Sequence, residues 1–475
     1  WAQKTSGFPC WEAEDGRVSE YRPFAAIVMA AGEGTRMHST TPKVLHQICG
    51  RPMLLHVIDA LAELPLERIV VVVGHGAERV TKTLQERLTT DVPVEFVEQR
   101  VQRGTGDAVS TALTRFPDHL DVEDDIVIVP GDTPLLRPET VASLAREHRI
   151  SDAAATMLTA KVADPYGYGR VVRTRDNHVD RVVEHADATD EEREIDEVNT
   201  SIYCFRRSLL APVLRRLSPE NAQGEYYLSD AIGVLRETGH QVNAFVAPEP
   251  AEASGVNDRA QLAEAETVLR RRINTRWMRA GVSMTDPQRT YIDSTVSLAV
   301  DVFLLPGTIL EGHTSIGAGS RVGPDTRLVD TVVGERAVIT SSVAREAEIG
   351  DDAMVGPFAH LRPGTRVGKS AKVGSFVETK AADIGEGAKV PHLAYVGDAE
   401  VGAGANLGAG TITANYDGKK KHHTKIGAGA STGSNTVLVA PVEMGEGSTT
   451  GAGAVVTRDV PAGALAKGVP ARTEG

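Results

Sequence analysis

The chain has 475 residues, which is too long for one hydrophobic core and predicts two to four domains. Its formal net charge of −13 argues against nucleic acid or an anionic membrane as the main partner. The 46 glycines and 4% aromatic residues are unusual for a globular protein. Cys10, Cys49 and Cys204 lack disulfide or zinc spacing, so we expect a reducing, cytoplasmic location.

Residues 1–23 show no hydrophobic period, and we expect them to form a disordered extension. From residue 24 to residue 256, short apolar runs alternate with helix-like segments, which is typical of an α/β fold with a doubly wound, mainly parallel sheet. Ligands of such sheets bind at the carboxyl ends of the strands. The predicted strands are 26–29, 69–74, 94–97, 126–129 and 153–160, and two of the predicted helices are 54–64 and 141–148.

The first strand leads into a glycine-rich loop, Ala30-Ala31-Gly32-Glu33-Gly34-Thr35-Arg36-Met37, which Thr41-Pro42-Lys43 follows. Glycines let the main chain approach a ligand closely, and Arg36 and Lys43 are suited to neutralising phosphate charge. The spacing differs from that of a P-loop and from GxGxxG. On these residues alone, an ordinary strand-to-helix turn with solvated cations remains an alternative interpretation.

Other loops at the same edge of the predicted sheet carry polar residues. Asp132, after the strand at 126–129, is suited to Mg²⁺, although a turn aspartate that bonds its own backbone is equally compatible with Gly131 and Pro134. Further polar stretches are Gln99, Arg103-Gly104-Thr105-Gly106, Gly167-Tyr168-Gly169-Arg170, Val183-Glu184-His185 and Glu197-Val198-Asn199-Thr200. We expect the last three to contact a sugar ring.

A linker helix is predicted over residues 257–281, because apolar residues recur at three-to-four spacing and acidic residues precede basic ones. Asn257 stands where an N-cap belongs, and capping is its default role. From Ile292 to Leu328 aliphatic residues recur every six positions, and the period resumes at Ile349 and again at Ile384; we assign residues 282–475 to this repeat domain. This period predicts a parallel β-helix with three hexads per triangular coil, in the left-handed form, and its tight corners account for the glycines. Residues 413–425 interrupt the hexads and are predicted to be a loop on the binding face.

These motifs together resemble those of the bacterial family of bifunctional N-acetylglucosamine-1-phosphate uridylyltransferase / glucosamine-1-phosphate N-acetyltransferase. The resemblance covers roughly residues 25–470. Its most specific parts, apart from the glycine-rich loop, are Pro42-Lys43-Val44-Leu45-His46, Gly167-Tyr168-Gly169-Arg170, Gly255-Val256-Asn257, Leu361-Arg362-Pro363-Gly364 and Pro391-His392-Leu393-Ala394-Tyr395-Val396-Gly397-Asp398-Ala399.

For the first domain, 24–256, the resemblance implies transfer of UMP from UTP to N-acetylglucosamine-1-phosphate, with release of pyrophosphate. It implies a Mg²⁺ ion held by Asp132 and Asn257, and we expect Arg36 and Lys43 to act as catalytic cations at the phosphates. The implied nucleotide contacts are Met29, Ala30, Ala31, Gly32, Lys43, Gln99, Gly104 and Thr105, and the implied sugar contacts are Gly169, Glu184 and Asn199.

For the second domain, the resemblance implies acetyl transfer from acetyl-CoA to the amine of glucosamine-1-phosphate. An amine attacks a thioester only when it is unprotonated, so a base is needed, and His392 is the candidate; on that residue alone, a solvated histidine stays open. The backbone N–H of Ala409 is a candidate oxyanion donor. The implied sugar-phosphate contacts are Arg362, Lys380, Tyr395 and Asn406, and the implied acetyl-CoA contacts are Ala409, Asn415, Tyr416, Ser434 and Ala452.

The resemblance also implies a homotrimer with sites between subunits, and we expect Lys421 of the inserted loop to contact sugar phosphate. Lys467 stands where the family commonly has an arginine, so it would supply a point charge in place of a bidentate contact. Two other interpretations remain at this point. One is a single-activity sugar-1-phosphate nucleotidyltransferase with a structural or regulatory β-helix, and the other is a non-catalytic assembly protein with the same fold.

Overall fold

The computed structural model describes residues 24–116 and 124–474. The expected disordered extension over residues 1–23, including Cys10, therefore lies outside the described residues. The chain divides into two compact units. The first comprises the chain up to Gln47 together with Pro52–Ala265, and the second comprises Ile48–Arg51 together with Glu266–Gly475. The division falls within the helix predicted as a linker, which spans Arg259–Arg279. Among the described helices, none is long and apolar enough to cross a bilayer.

A mixed sheet forms the centre of the first unit. Its strands are β1 (Phe24–Ala30), β2 (Arg68–Val73), β3 (Val94–Glu98), β4 (Asp125–Pro130), β5 (Ala155–Lys161), β6 (Arg170–Arg173), β7 (Val179–Val183), β8 (Glu197–Arg206) and β9 (Val242–Val246). Their order is β9-β5-β8-β4-β1-β2-β3, and the hairpin β6–β7 joins the sheet beside β8. The strands at its centre are parallel, since β1 pairs in parallel with β2 and β4, whereas β8 runs antiparallel to β4 and β5.

Helices cover both faces of this sheet, which confirms the doubly wound α/β prediction. Alternate residues of β1 show the two faces: Ala26 and Val28 pack in one apolar cluster with Leu54, whereas Ile27 packs in another with Val109. The helices are α1 (Met53–Ala62), α2 (Ala77–Arg87), α3 (Thr105–Leu113), α4 (Pro138–Ile150), α5 (Asp190–Arg193), α6 (Arg207–Leu214), α7 (Asp230–Glu237) and α8 (Arg259–Arg279).

The second unit consists mainly of short parallel strands stacked in coils, as the hexad period predicts, and is consistent with a left-handed β-helix. Leu304, Leu310 and Leu328 point into its core and are fully buried. One sheet runs from Ser283–Met284 to Arg472–Glu474, and a second runs from Tyr291–Ile292 to Val455–Val456. The strands that carry the predicted site residues are Lys372–Ser375, Glu378–Ile384, Lys389–His392, Tyr395–Val401, Asn406–Leu407 and Ile412–Ala414.

The coils vary in length, so the prediction of three full hexads in every coil is wrong in part. Tyr291 pairs with Ile309, which is three hexads later, but Arg327 pairs with Val343, which comes before three hexads are complete. The predicted insertion is present, since Ala399 pairs with Thr424, which is more than four hexads later. The flanking strands Ile412–Ala414 and Thr424–Ile426 keep their places in the sheet, so the loop itself comprises residues 415–423 and the predicted bounds 413–425 are two residues too wide at each end.

A column of glycines, one in each coil, lets successive turns of the β-helix stack closely. Gly350, Gly368, Gly385 and Gly402 belong to it, and a Cβ added to any of them would lie 2.4–2.8 Å from main-chain atoms of the next coil. Contacts this short do not occur for real Cβ atoms. Close stacking of the main chain, and not corner geometry alone, therefore explains the glycine surplus.

We expect Gly385→Ala to lower the free energy of unfolding of the β-helix by about 3 kcal/mol, because its Cβ would lie 2.8 Å from Val401 O and Ala403 N. Gly387→Ala is the matched control. That glycine has a φ of +66° but no atom within 4 Å of an added Cβ, so the expected loss is about 1 kcal/mol. Urea denaturation followed by circular dichroism measures both changes, and equal losses would contradict the stacking explanation.

Candidate active sites

In the first unit, the structure brings Lys43, Asp132 and Asn257 together. Lys43 Nζ forms an ion pair with Asp132 Oδ2 and donates a hydrogen bond of 2.7 Å to Asn257 Oδ1. The side chains of Lys43 and Asp132 are 12% and 21% exposed, so water only partly screens this pair. A carboxylate and an amide oxygen thus converge on one cation at the carboxyl ends of the strands.

The default N-cap role of Asn257 is wrong. Helix α8 begins at Arg259, and Asp258 caps it by accepting a 2.9 Å hydrogen bond from Gln261 N. The side chain of Asn257 is thereby left to accept from Lys43, while its backbone N–H donates to Gln261 Oε1 at 2.7 Å. The amide oxygen of Asn257 therefore belongs to the candidate site and not to the helix end.

Gly34 is required for the position of Lys43. Its φ is +65°, and a Cβ added there would lie 2.5 Å from Lys43 Cβ. Gly32 has no atom within 4 Å of an added Cβ, so its main chain is open to a ligand. Arg36 is exposed and makes no ion pair or hydrogen bond within the described part of the chain. The two predicted cations therefore differ: Lys43 is held in place, and Arg36 projects freely from the loop.

The predicted nucleotide contacts lie on loops that hydrogen-bond one another. Gly131 N donates to Met29 O at 2.8 Å, which joins the Asp132 loop to the end of β1. The buried Gln99 side chain donates to Gly104 O at 3.2 Å and to Asp107 Oδ2 at 2.8 Å. Thr105 Oγ1 accepts from Leu228 N at 2.9 Å. These bonds hold the loops in place at the carboxyl ends of the parallel strands, where the main chain of Ala30, Ala31 and Gly32 also lies.

The predicted sugar contacts also meet. Asn199 N donates to Gly169 O at 2.8 Å, and a Cβ added to Gly169 would lie 3.2 Å from Glu184 Oε2. Glu184 Oε1 accepts from Ser229 Oγ at 2.8 Å, and burial raises the pKa of the Glu184 carboxyl. A cavity of about 180 Å³ is lined by Glu184 together with Met29 and Thr105. One cavity thus joins the nucleotide side of the site to the sugar side.

The sequence analysis missed Glu225, Tyr227, Leu228 and Ser229, which line the same cavity. Tyr227 is buried, and its pKa is raised to about 12 by burial and by nearby carboxylates. The aromatic pair Tyr226-Tyr227 directly before helix α7 is the signal that was available. No pattern in the sequence links that pair to Glu184.

Asp230 makes the stability of this unit depend on pH. Its pKa is raised to about 6, first by burial and then by the charges of Glu184 and Asp187. The folded state therefore binds this proton more tightly than the unfolded chain, and the free energy of unfolding falls as pH rises from about 4 to about 6.

We expect Asp230→Asn to raise the free energy of unfolding by about 1–2 kcal/mol at pH 7.5 and by far less at pH 4, after allowance for solvent screening. Urea denaturation at the two pH values measures the difference. Because Asp230 is the first residue of α7, loss of a helix-dipole interaction opposes the gain. An equal change at both pH values would assign the effect to the helix and not to the raised pKa.

In the second unit, a basic cluster forms around Asp398. Lys380 Nζ lies 3.9 Å from Asp398 Oδ2, and Asn415 Nδ2 donates to the same oxygen at 2.5 Å. The contact with Lys421, followed by burial, lowers the pKa of Lys380, and the charge of Arg362 adds to this effect. Lys421 therefore lies beside Lys380 of its own chain.

Other predicted sugar-phosphate contacts are placed differently. Asn415 Nδ2 lies 3.5 Å from Tyr395 Oη, which connects Tyr395 to the basic cluster. Arg362 pairs with Glu378 at 2.9 Å. Asn406 is exposed on the other sheet, opposite Lys389, and makes no side-chain hydrogen bond to these groups within the described chain. The structure thus unites Arg362, Lys380 and Tyr395 but leaves Asn406 apart.

His392 stands at the top of a ladder that contains several of the predicted acetyl-CoA contacts. Gly410 N donates to His392 O at 3.3 Å, Asn435 N to Ala409 O at 2.7 Å, and Gly453 N to Ser434 O at 2.8 Å. His392, Ala409, Ser434 and Ala452 therefore lie at one corner in successive coils. The imidazole is exposed, and the N–H of Ala409 donates no hydrogen bond to a described residue.

Two further predicted positions are Tyr416 and Lys467. Tyr416 is exposed in the inserted loop, where Asp417 organises the chain by accepting from Lys419 N, Lys420 N and His422 Nε2. Lys467 Nζ pairs with Glu474 Oε2 at 2.9 Å, and a Cβ added to Gly451 would lie 3.1 Å from Lys467 Cβ. Lys467 is therefore next to the coil of Ala452.

The glycine-rich loop and the Lys43–Asp132 pair, on a doubly wound sheet, define a nucleotidyltransferase domain, and a β-helix follows it. Residues 26–232 match the family model of MobA-like NTP transferase domains. The bifunctional protein GlmU of Streptomyces avermitilis is 50% identical over 94% of this chain and 92% of its own length. The bifunctional protein GlmU of Heliobacterium modesticaldum is 48% identical over 93% of this chain and 94% of its own. The chain belongs to the family of bifunctional GlmU proteins.

Family membership confirms the resemblance found in the motifs, and with it the prediction of a bifunctional transferase. Neither a single-activity nucleotidyltransferase nor a non-catalytic assembly protein is retained. The solved structure of HddC from Yersinia pseudotuberculosis covers 52% of the chain and 99% of its own length, with 18% identity and a TM-score of 0.39, which is too weak a likeness to support an inference.

Proposed function

We propose that the chain acetylates glucosamine-1-phosphate with acetyl-CoA in its second unit and, in its first unit, transfers UMP from UTP to N-acetylglucosamine-1-phosphate. The observation that carries the proposal is the convergence of Lys43, Asp132 and Asn257 beside the glycine-rich loop. The family to which the chain belongs and its NTP transferase domain support it. Membership of this class of transferase also supports small molecules as the substrates.

In uridylyl transfer, a phosphate oxygen of the sugar phosphate attacks the α-phosphorus of UTP, and pyrophosphate leaves with the electrons of the broken bond. Lys43 and the exposed Arg36 neutralise charge on the phosphates, and the open main chain at Gly32 binds the nucleotide. Glu184 and Asn199 orient the sugar. Positioning and charge neutralisation then carry the reaction without a covalent intermediate.

A Mg²⁺ ion suits the first unit. Within the described residues there is no cluster of three or more histidine, cysteine or acidic side chains, but Asp132 and Asn257 already point two hard oxygens at a cation, the ammonium of Lys43. Magnesium is commonly held by one or two protein oxygens plus substrate phosphates. Asp132 and Asn257 would hold the ion, which would neutralise charge on the phosphates.

In acetyl transfer, His392 accepts a proton from the amine of glucosamine-1-phosphate as the nitrogen attacks the thioester carbonyl. The N–H of Ala409, which has no other described acceptor, donates to the oxygen of the tetrahedral intermediate. Collapse of that intermediate breaks the C–S bond, and coenzyme A leaves as a thiolate that takes up the proton held by His392. Arg362 and Lys380 bind the sugar phosphate, and the corner with Ser434 and Ala452 binds the acetyl-CoA.

We propose further that the functional domains are 24–256 and 282–475, joined by the helix at 257–281. The assembly that we propose is a homotrimer, in the cytoplasm. The cytoplasmic location is supported by Cys49 and Cys204, which are buried, free thiols with pKa values raised by burial. Analytical ultracentrifugation of the full chain tests the trimer.

Two assays on the purified chain test the function. With UTP, N-acetylglucosamine-1-phosphate and Mg²⁺, we expect release of pyrophosphate; with acetyl-CoA and glucosamine-1-phosphate, we expect a free thiol. Omission of the sugar phosphate is the control in each. Absence of either product above background would overturn the corresponding half of the proposal.

A further inference from the structure

Lys43 contacts both proposed metal ligands of the first unit at once. Its Nζ pairs with Asp132 Oδ2 and lies 2.7 Å from Asn257 Oδ1, so the ammonium occupies the point on which the two oxygens converge. Magnesium binds oxygen at about 2.1 Å. An ion held by the same two oxygens would therefore need the place that the ammonium takes.

Hydrogen bonds of the main chain hold the two segments that carry these oxygens near each other. Val256 N donates to Asp132 O at 2.9 Å, and Asn257 N donates to Gln261 Oε1 at 2.7 Å. Gly34 packs against Lys43 as far as Cδ, but the outer bonds of the lysine side chain lie beyond that contact. The main chain that carries both ligands is thus anchored, and the end of the long lysine side chain is the part that is freest to move.

The charges oppose entry of a metal ion without nucleotide. The ammonium compensates the carboxylate of Asp132 in a site where both side chains are mostly buried. An incoming divalent ion meets a like charge at contact distance and a carboxylate that already has a partner. A nucleotide triphosphate changes this balance, because its phosphates offer the ammonium a stronger anionic partner.

We propose that Lys43 is the resident counter-ion of the metal site and must leave Asp132 and Asn257 before a divalent ion binds there. This rests on the proposed uridylyltransferase function. Lys43 therefore keeps metal affinity low in the free protein and moves to the phosphates when nucleotide binds. Metal and nucleotide binding are then cooperative, and each raises the affinity for the other by the same factor.

The test measures binding of Mn²⁺ to the full, nucleotide-free chain, with unbound Mn²⁺ quantified by electron paramagnetic resonance. We expect Lys43→Met to lower the Mn²⁺ Kd by about tenfold, because it removes a charged hydrogen bond that the metal must otherwise break. Lys43→Arg keeps the charge and should leave the Kd near that of the unmodified chain. Far-ultraviolet circular dichroism and urea denaturation of the full chain report that the first unit of each variant is folded.

Two controls make the result specific. Arg36→Met removes one positive charge from the glycine-rich loop that precedes Lys43, but Arg36 contacts neither oxygen, so the Mn²⁺ Kd should change by less than about twofold. Asp132→Asn in the Lys43→Met background should abolish the tighter binding. The proposal is overturned by an unchanged or higher Kd in Lys43→Met, by an equal effect of Arg36→Met, or by Mn²⁺ binding that survives loss of Asp132. Pyrophosphate release by the unmodified chain reports separately on the proposed function.

Discussion

Asp132→Ala is expected to lower uridylyl transfer by about a hundredfold or more while leaving acetyl transfer unchanged. The carboxylate is the one anionic group in contact with Lys43 within the described chain, and its loss removes both an ion pair and the proposed anionic ligand of the metal. The acetyl transfer residues belong to the other compact unit. Pyrophosphate release at saturating UTP and sugar phosphate, set against thiol release by the same preparation, measures the contrast.

Asp132→Asn is the matched variant, because it keeps the volume and removes the charge. We expect it to lose uridylyl transfer nearly as fully as the alanine variant, since an amide oxygen neutralises neither Lys43 nor a metal ion. Full activity in Asp132→Asn would show that Asp132 acts by stabilising the turn through hydrogen bonds to its own backbone, and not through its charge. Loss of both reactions in a folded Asp132→Ala protein would contradict independent sites.

The central parallel strands β1, β2 and β4 of the first unit are predictable from sequence because each contains a continuous apolar run that becomes buried on both faces. Strand β8 is not predictable in this way, because its first residues include Glu197, Asn199 and Thr200, and such a polar pattern is typical of a loop. Tertiary partners make their burial possible: Thr159 Oγ1 donates to Glu197 Oε1 at 2.8 Å, and Arg173 forms an ion pair with the same carboxylate. A strand whose polar groups are satisfied by distant residues carries no local signal.

The hexad period identifies the β-helix but loses its frame between Leu328 and Ile349. The structure shows the reason, since Val333, Ile339 and Ala344 fill the inward positions there and most of the steps in this stretch are one position shorter than a hexad. Positive φ values at Asp330 and Ser341 accommodate the shortened corners. A strict six-residue template cannot follow such steps, because the geometry preserves only the alternation of inward and outward side chains.

The residue types of both sites are predictable, but their pairings are not. Phosphate chemistry singles out Lys43 and Asp132, yet no local pattern shows that one ammonium bridges Asp132 and Asn257, which lie far apart in the chain. Likewise, the lysines of the inserted loop resemble a solvated run, and only the fold places Lys421 beside Lys380. Contacts between distant loops depend on strand order, which composition and spacing do not determine.

His392→Ala is expected to lower acetyl transfer by about a hundredfold to ten-thousandfold, with uridylyl transfer unchanged. The imidazole is exposed at the corner where the Ala409, Ser434 and Ala452 coils stack, so it is open to the amine and lies beside the proposed oxyanion donor. Without it, no other proposed group is placed to accept the proton as the amine attacks the thioester. Thiol release measured across pH 6–9 should rise steeply in the variant, because only the fraction of amine that is already unprotonated then reacts.

The matched control is His313→Ala, which removes another exposed imidazole several coils earlier in the same β-helix. Its effect on either reaction should stay within about twofold, since surface substitutions away from a site change little. If His392→Ala and the control behaved alike, the solvated interpretation of His392 would be correct, and the proton would have to leave the amine by another route. If His392→Ala abolished uridylyl transfer as well, the two units could not act as independent catalysts. The assignment of one reaction to each unit would then be wrong.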